Sequence, residues 1–444
     1  MKKMLATLLV VLMVSLQGAS AADWLEPACS RRLALQLPPA EKSTPAALIV
    51  TGREFWNWTG FPRPRTDTFR LYQGTKVLAY QVEERQASGL PASPDGFFDD
   101  PDLLLFVATL GPEKKSVCLY YDGPASQPLP AELQPQVTEK KGDLIPLWLS
   151  AGQLKVGLRG GGTEDHRHDI QNFGRGSFVF LSWKGQILID FRSSWGNYLP
   201  RGLASDREGP VWSEPEIIQH GPVRTLVAVR CSNYVARKDN REILTASIVR
   251  LLSLWHSCPV LDGEEYVDYH SQAFDWSWPY SFSLPVGKSL DQNDVLIVPL
   301  AGRAYTRRLN RTRQEIEASP WENLYATDNP EEGWFAWQDT VEKTGLAVFY
   351  EKMATLAQRA AWVSYRPPLH PRIQLRTTPY PSVENNLSFV DRALACRSHY
   401  SRQWRYLLLE DEAPETIHTL YHLWAGQPGS LLTASSPEKK GNEP

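Results

Sequence analysis

The segment Gly160-Gly161-Gly162-Thr163-Glu164-Asp165-His166-Arg167-His168-Asp169 sets two histidines among acids, behind three glycines. In an extended chain alternate side chains share a face, so His166 and His168 point the same way. Such a pair could hold a divalent metal such as zinc, or act as a base with its positioning partner. A His-x-His pair alone lacks a third ligand at diagnostic spacing, so no metal ligand set is assigned and the cofactor is left open. The competing reading is a solvated loop.

A second constellation is Glu264-Glu265-Tyr266-Val267-Asp268-Tyr269-His270. Breaking a uronate glycosidic bond by β-elimination needs a group that neutralises the carboxylate, a base for the C5 proton and an acid for the leaving oxygen. Tyrosine and histidine can move those protons when their pKa values are tuned, and arginine can hold a carboxylate through two parallel hydrogen bonds. Tyr266, Tyr269, His270 and Arg201 form that set, with His166 and His168 as further candidates. The competing reading makes Tyr266 and His270 ordinary residues of a half-buried strand. Hydrolysis would instead require paired carboxylates, one protonated and one ionised; Glu214 and Glu216, the group Asp262, Glu264 and Asp268, and Glu331 and Glu332 are available.

The chain holds 16 tryptophans, which supply flat apolar faces for a core or for stacking on sugars. Trp276, Trp278 and Tyr280 alternate along one face of an extended segment. Trp195 with Tyr198, and Trp334 with Trp337, are similar clusters in polar surroundings. These aromatic residues are the candidate substrate contacts, although aromatic rows in sandwiches more often serve as core.

The elements that must position these groups read as strands. Ala47–Val50, Phe69–Tyr72, Val77–Tyr80, Leu103–Phe106 and Val117–Tyr121 are short apolar runs bounded by Gly, Pro, Asp or Lys. They predict a small β-barrel or sandwich over residues 22–123. A proline-rich linker follows over 124–141. The second domain, 142–426, continues with a hairpin from Ser177 to Phe191 turning at Lys184-Gly185. Further strands fall at Thr225–Cys231, Ile243–Leu252, Asp294–Leu300 and Gly345–Tyr350. Strand follows strand without alternating helices, which predicts an all-β fold with a large antiparallel sandwich. Ile417, Leu420, Tyr421 and Trp424 recur at helical spacing behind Pro414 and predict one closing C-terminal helix. Residues 427–444 have the composition of a disordered tail.

The order of features from Val77 to Tyr121 resembles the small N-terminal barrel of secreted carbohydrate-active proteins of the exo-rhamnogalacturonan lyase-like type. The features are a strand ending in Gln81-Val82, the acidic segment Asp95-Gly96-Phe97-Phe98-Asp99-Asp100-Pro101-Asp102, the run Leu103–Val107, and the strand Leu119-Tyr120-Tyr121. The strand entered through Gly221-Pro222-Val223-Arg224 and the strand-helix unit Trp404–Trp424 are similar in outline to large sandwiches of polysaccharide lyases and mutarotases. The resemblance is architectural and matches no catalytic signature residue by residue. It implies a polysaccharide or oligosaccharide partner. The helical toroid domain that often accompanies such folds is missing from this sequence.

The first residues, Met1-Lys2-Lys3, an apolar stretch from Met4 to Leu16, and small residues at Ala19 and Ala21, have the three parts of a secretory signal over 1–21. That stretch is shorter than the roughly 20 residues a spanning helix needs, so the expectation is a bacterial chain that is secreted or periplasmic and free of the membrane after cleavage. With 47 basic and 50 acidic residues the charge is nearly balanced, which argues against a nucleic-acid partner. Five cysteines, Cys29, Cys118, Cys231, Cys258 and Cys396, contain no Cys-x-x-Cys pair. Two disulfides are possible in an oxidising compartment, with Cys29–Cys118 an attractive pairing, and simple buried thiols are the alternative. No Gly-x-Ser-x-Gly elbow, phosphate loop or dinucleotide fingerprint is present. The expectation is therefore a polysaccharide lyase acting on a uronic-acid glycan. The alternatives are a non-catalytic glycan-binding or cell-envelope protein, or a glycoside hydrolase.

Overall fold

The computed structural model describes residues 24–61, 63–126, 135–143, 145–163, 176–189, 211–238, 241–269, 280–285, 293–300, 302–308, 323–326, 332–350, 361–366, 369–377, 399–426, 433–434 and 437–439. Within them the chain is almost wholly antiparallel strand, with two α-helices, α1 (Gly52–Thr59) and α2 (Pro414–Ala425). The fold class is the all-β one expected.

An eleven-stranded sheet forms the middle of the molecule. Its long central strands are Arg224–Lys238, Arg241–Trp255, Val260–Tyr269 and His399–Leu409, followed by Thr344–Tyr350, Trp334–Asp339 and Asp294–Leu300. Both faces of this sheet are covered, and the period-two pattern shows it. Ile297, Trp334, Ala336, Phe349 and Leu409 face one core, while Leu296, Val298, Phe335, Trp337, Val348 and Leu408 face the other. The first core is shared with the N-terminal strands and α2. The second is closed by a five-stranded sheet that includes Leu147–Ala151, Leu154–Arg159 and Ser177–Trp183.

The N-terminal residues form two small sheets. One is built on Arg31–Leu37 and Lys115–Tyr121, the other on Thr44–Thr51, Leu103–Leu110 and Tyr80–Glu83. Their leucines and phenylalanines run without a break into the core under the central sheet, through Val223, Trp255, Val260 and Leu407. Each fully buried side chain of this size stabilises the fold by about 1.5–3 kcal/mol, so this continuity fastens the N-terminal sheets to the sandwich.

The hairpin at 177–189 turns through Lys184 and Gly185, with φ of 51° and 83°. Positive φ at both positions is the geometry that matches strand twist in a two-residue turn. α2 starts on Pro414 and ends at Gly426 with φ 55°, burying Ile417, Leu420 and Tyr421.

Three expectations are corrected. The proline-rich stretch does not run to residue 141, because Gln136–Glu139 is an edge strand paired with Leu147–Ala151. Within the stretch expected to be a tail, Thr433–Ala434 and Glu438–Lys439 are strands that pair with Arg31–Leu37. Its polar composition suits a strand with little to bury. Finally, Cys29, Cys118, Cys231 and Cys258 are all thiols, so no Cys29–Cys118 bridge forms. Register explains this. Ala34 pairs with Cys118, and the same count puts Cys29 beside Gly123, where an added Cβ would lie 2.7 Å from the Cys29 sulfur.

Candidate functional site

α1 and the acidic loop 95–102 together make an exposed face on the N-terminal sheets. The helix is set by a capping box: the Thr51 hydroxyl accepts from the Glu54 amide at 3.2 Å, and the Glu54 carboxylate accepts from the Thr51 amide at 2.8 Å. Gly60, with φ 63°, stops it. Phe55 anchors the buried side, with its ring 5.8 Å from Phe98 and 5.1 Å from Tyr121. Arg53, Trp56 and Asn57 therefore share the opposite face by helical spacing, and all three are exposed.

Close backbone contact joins helix and loop. The Gly52 amide donates to the Asp102 carbonyl at 2.9 Å, and a Cβ on Gly52 would stand 1.6 Å from the Asp99 carbonyl oxygen. Glycine is required there for that approach. Arg53 then grips Asp100 in a two-bond fork, with both bonds 2.8 Å, and this pairing lowers the Asp100 pKa. Arg63 bonds Asp99 at 2.7 Å and Asp95 at 2.9 Å, with its guanidinium 4.9 Å over the Phe97 ring. Trp56 is 52% exposed and Phe97 38%. The result is two open aromatic faces beside planar, oriented hydrogen-bonding groups. Open rings of this kind offer stacking surfaces for apolar C–H faces, and the paired side chains offer both donors and acceptors to hydroxyl groups.

Behind this face lies a buried cluster of charge. The Asp102 carboxylate accepts from the backbone amides of Asp99 and Arg85, at 2.6 and 2.8 Å. The Arg85 side chain reaches Glu83 at 2.7 Å and both oxygens of Glu264 at 3.0 Å. Arg224 holds Glu83 through two further bonds of 2.6 and 2.5 Å. Asp262 accepts from Arg405, at 2.6 and 2.9 Å, and from the Trp255 indole at 2.7 Å. Burial alone would raise the Glu83 pKa; the Arg224 and Arg85 guanidiniums overcome it and hold the carboxyl at about 2. Glu83, Asp262 and Glu264 are thus paired with the guanidiniums of Arg85, Arg224 and Arg405, while Asp102 is held by backbone amides.

Tyr266 belongs to this cluster. Its hydroxyl lies 2.7 Å from a Glu264 oxygen and 3.0 Å from the Gly89 carbonyl. Burial and the Glu264 charge both drive its pKa upward, so the phenol stays protonated and cannot serve as a base near neutral pH. Asp262 and Glu264, considered as hydrolytic carboxylates, are both bound to arginines inside the protein.

Of the other residues expected from sequence, Trp334 and Trp337 are core residues, 0% and 3% exposed, with no open face for stacking. Their indoles donate to Glu332 at 3.0 Å and Asp294 at 2.8 Å. Tyr269 closes its strand with its backbone opposite Ala246. Its side chain, with His166, His168, Arg201, His270, Trp195, Tyr198, Trp276 and Trp278, lies outside the described residues.

Two groupings escaped the sequence reading. The Trp56 face was signalled by Thr51-Gly52-Arg53-Glu54, a capping-box pattern standing just before aromatic residues. The second is Glu332 with His418 and His422, whose ligand-type atoms all lie within 4.8 Å of one another. Its signal was the i, i+4 spacing of the two histidines on α2.

No protein-family model matches the chain, and no curated protein matches it. Among solved structures it is similar to a protein in the glycosyl hydrolase family 38 from Enterococcus faecalis, at 9% identity and a TM-score of 0.49, covering 94% of this chain and 48% of that one. It is also similar to an alpha-mannosidase from Enterococcus faecalis V583, at 10% identity and a TM-score of 0.49, covering 95% of this chain and 47% of that one. Neither is described as exo-rhamnogalacturonan lyase-like, so the resemblance read from Val77 to Tyr121 gains nothing from them. The chain spans about half the length of these structures, and likeness at this level carries no activity to it.

Proposed function

We propose that this is an exported carbohydrate-active protein that recognises a neutral glycan on the exposed face of α1. The observation that carries the reading is the open indole of Trp56, one helical turn from the bidentate Arg53–Asp100 pair. A stacking ring beside a fixed fork of donors and acceptors suits a pyranose with equatorial hydroxyls.

Charge selects against the uronic-acid substrate expected from sequence. The face carries three carboxylates, Asp95, Asp99 and Asp100, against two guanidiniums, Arg53 and Arg63, and each guanidinium is already paired. A polyuronate would meet no free cation there.

Affinity electrophoresis of the mature protein through gels containing neutral polysaccharides, with polyuronates in parallel, tests the reading. Retardation by a neutral glycan that Trp56→Ala weakens about tenfold or more supports it. Retardation by polyuronates alone, or retardation unchanged in Trp56→Ala, overturns it.

A further inference from the structure

We propose that Glu332, His418 and His422 form a binding site for one divalent transition-metal ion, with zinc the best fit. The site lies where α2 packs beside Trp334, at the start of the strand Trp334–Asp339, and is independent of the glycan reading.

The geometry is that of a ligand set. His418 and His422 are one turn apart on α2, so both imidazoles leave the same side of the helix. Their Nε2 atoms stand 3.1 Å apart. The His422 Nε2 is 3.4 Å from Glu332 Oε2. Ligand atoms around a tetrahedral zinc, with bonds of about 2.0–2.1 Å, are separated by roughly 3.3 Å. The two edges to Glu332 Oε2, 3.2 Å from His418 Nδ1 and 3.4 Å from His422 Nε2, match those of such a tetrahedron, and the three ligand atoms all lie within 4.8 Å of one another.

An orphaned ring nitrogen also suits a metal. His418 Nδ1 lies 3.2 Å from Glu332 Oε2, yet that buried nitrogen has no hydrogen-bond partner. Two imidazoles with a carboxylate form a donor set for zinc and its neighbours, and are a poor match for calcium or magnesium.

The surroundings hold the ligands in place. The Trp334 indole donates to Glu332 Oε2 at 3.0 Å, which is the outer-shell bond that orients a metal-binding carboxylate. Tyr421, between the two histidines in sequence, accepts from the Gly333 amide at 3.0 Å and so ties the helix to the segment carrying Glu332. The three ligand side chains are 19–24% exposed, which leaves an entry path and room for water as a fourth ligand. Bound there, the ion cross-links α2 to the central sheet.

The test is isothermal titration of Zn2+ into the chelator-treated mature chain, with Co2+ visible absorption as a second measurement. The expected result is one ion per chain and a Co2+ spectrum of tetrahedral intensity. His418→Ala and His422→Ala should each weaken binding about 100-fold or more, while a His166→Ala/His168→Ala double variant retains it. Failure of the unaltered protein to bind Zn2+ overturns the proposal. So does binding that survives both helix substitutions or disappears in the double variant. If a helix variant does not fold, Glu332→Gln, which keeps size and shape, carries the same expectation, and unchanged affinity there overturns the site.

Discussion

Arg85 donates to both carboxylate oxygens of Glu264 at 3.0 Å, joining side chains 179 positions apart in sequence. The bond runs from the N-terminal sheets to the central sheet, and both groups are almost completely buried. A buried pair of this kind adds little net stability over apolar residues of the same shape, but breaking it is expensive. Glu264→Ala or Arg85→Ala should each destabilise the protein by about 3–5 kcal/mol in urea unfolding. An Arg85→Met/Glu264→Leu double variant should lose less than the sum of the two single losses. Additive losses would show that the pair does not act as a unit.

Acid should weaken the fold in two stages. His256 is held neutral by burial and by nearby His220, with its pKa lowered from 6.5 to about 4. Between those values the unfolded chain takes up a proton that the folded one does not, so stability falls as pH drops from about 6.5 to 4. Glu83, held at about 2 against an ordinary 4.5, contributes stability above pH 4.5 that fades as pH falls toward 2. Melting temperatures taken from pH 7 to pH 3 should decline throughout, and His256→Asn should flatten the upper part of the curve.

Gly52 and Gly60 bracket α1 for different reasons, and alanine at each should separate them. At Gly60 an added Cβ meets nothing within 4 Å but must accept φ 63°, costing about 1–2 kcal/mol. At Gly52 it would meet the Asp99 backbone, forcing the helix and the acidic loop apart. Gly52→Ala should therefore lose both stability and Trp56-dependent glycan retardation, whereas Gly60→Ala should keep the retardation.

The thiols offer a chemical check. Alkylation of the denatured protein should modify Cys29, Cys118, Cys231 and Cys258 to the same extent with and without reductant. In the native protein Cys258 should react far more slowly than in the denatured one, because burial pushes its pKa up to about 12.

The strand framework was legible in the sequence because its signals are local. The Lys184-Gly185 turn, the apolar runs at 47–50 and 103–106, and the Pro414 helix start each depend on neighbouring residues. The candidate site was not, because its partners come together only through tertiary register. Nothing near Arg85 in sequence names Glu264, and nothing near His418 names Glu332. Trp334 and Trp337 misled for a related reason. A Trp-x-x-Trp cluster beside polar residues reads as a rim, but with strands on both sides of its own the segment 334–339 lies inside the central sheet, and alternation sends one indole into each core. α1 was overlooked because eight residues with two tryptophans give little helical periodicity, even though the capping box was visible.

The strand Arg31–Leu37 receives Ala434 opposite Leu35, a partner made roughly 400 residues later. Until that partner emerges, one margin of the first sheet keeps its amides and carbonyls open to any passing strand. Assembly of this sheet is consequently ordered in time: the earliest strand is sealed by one of the last.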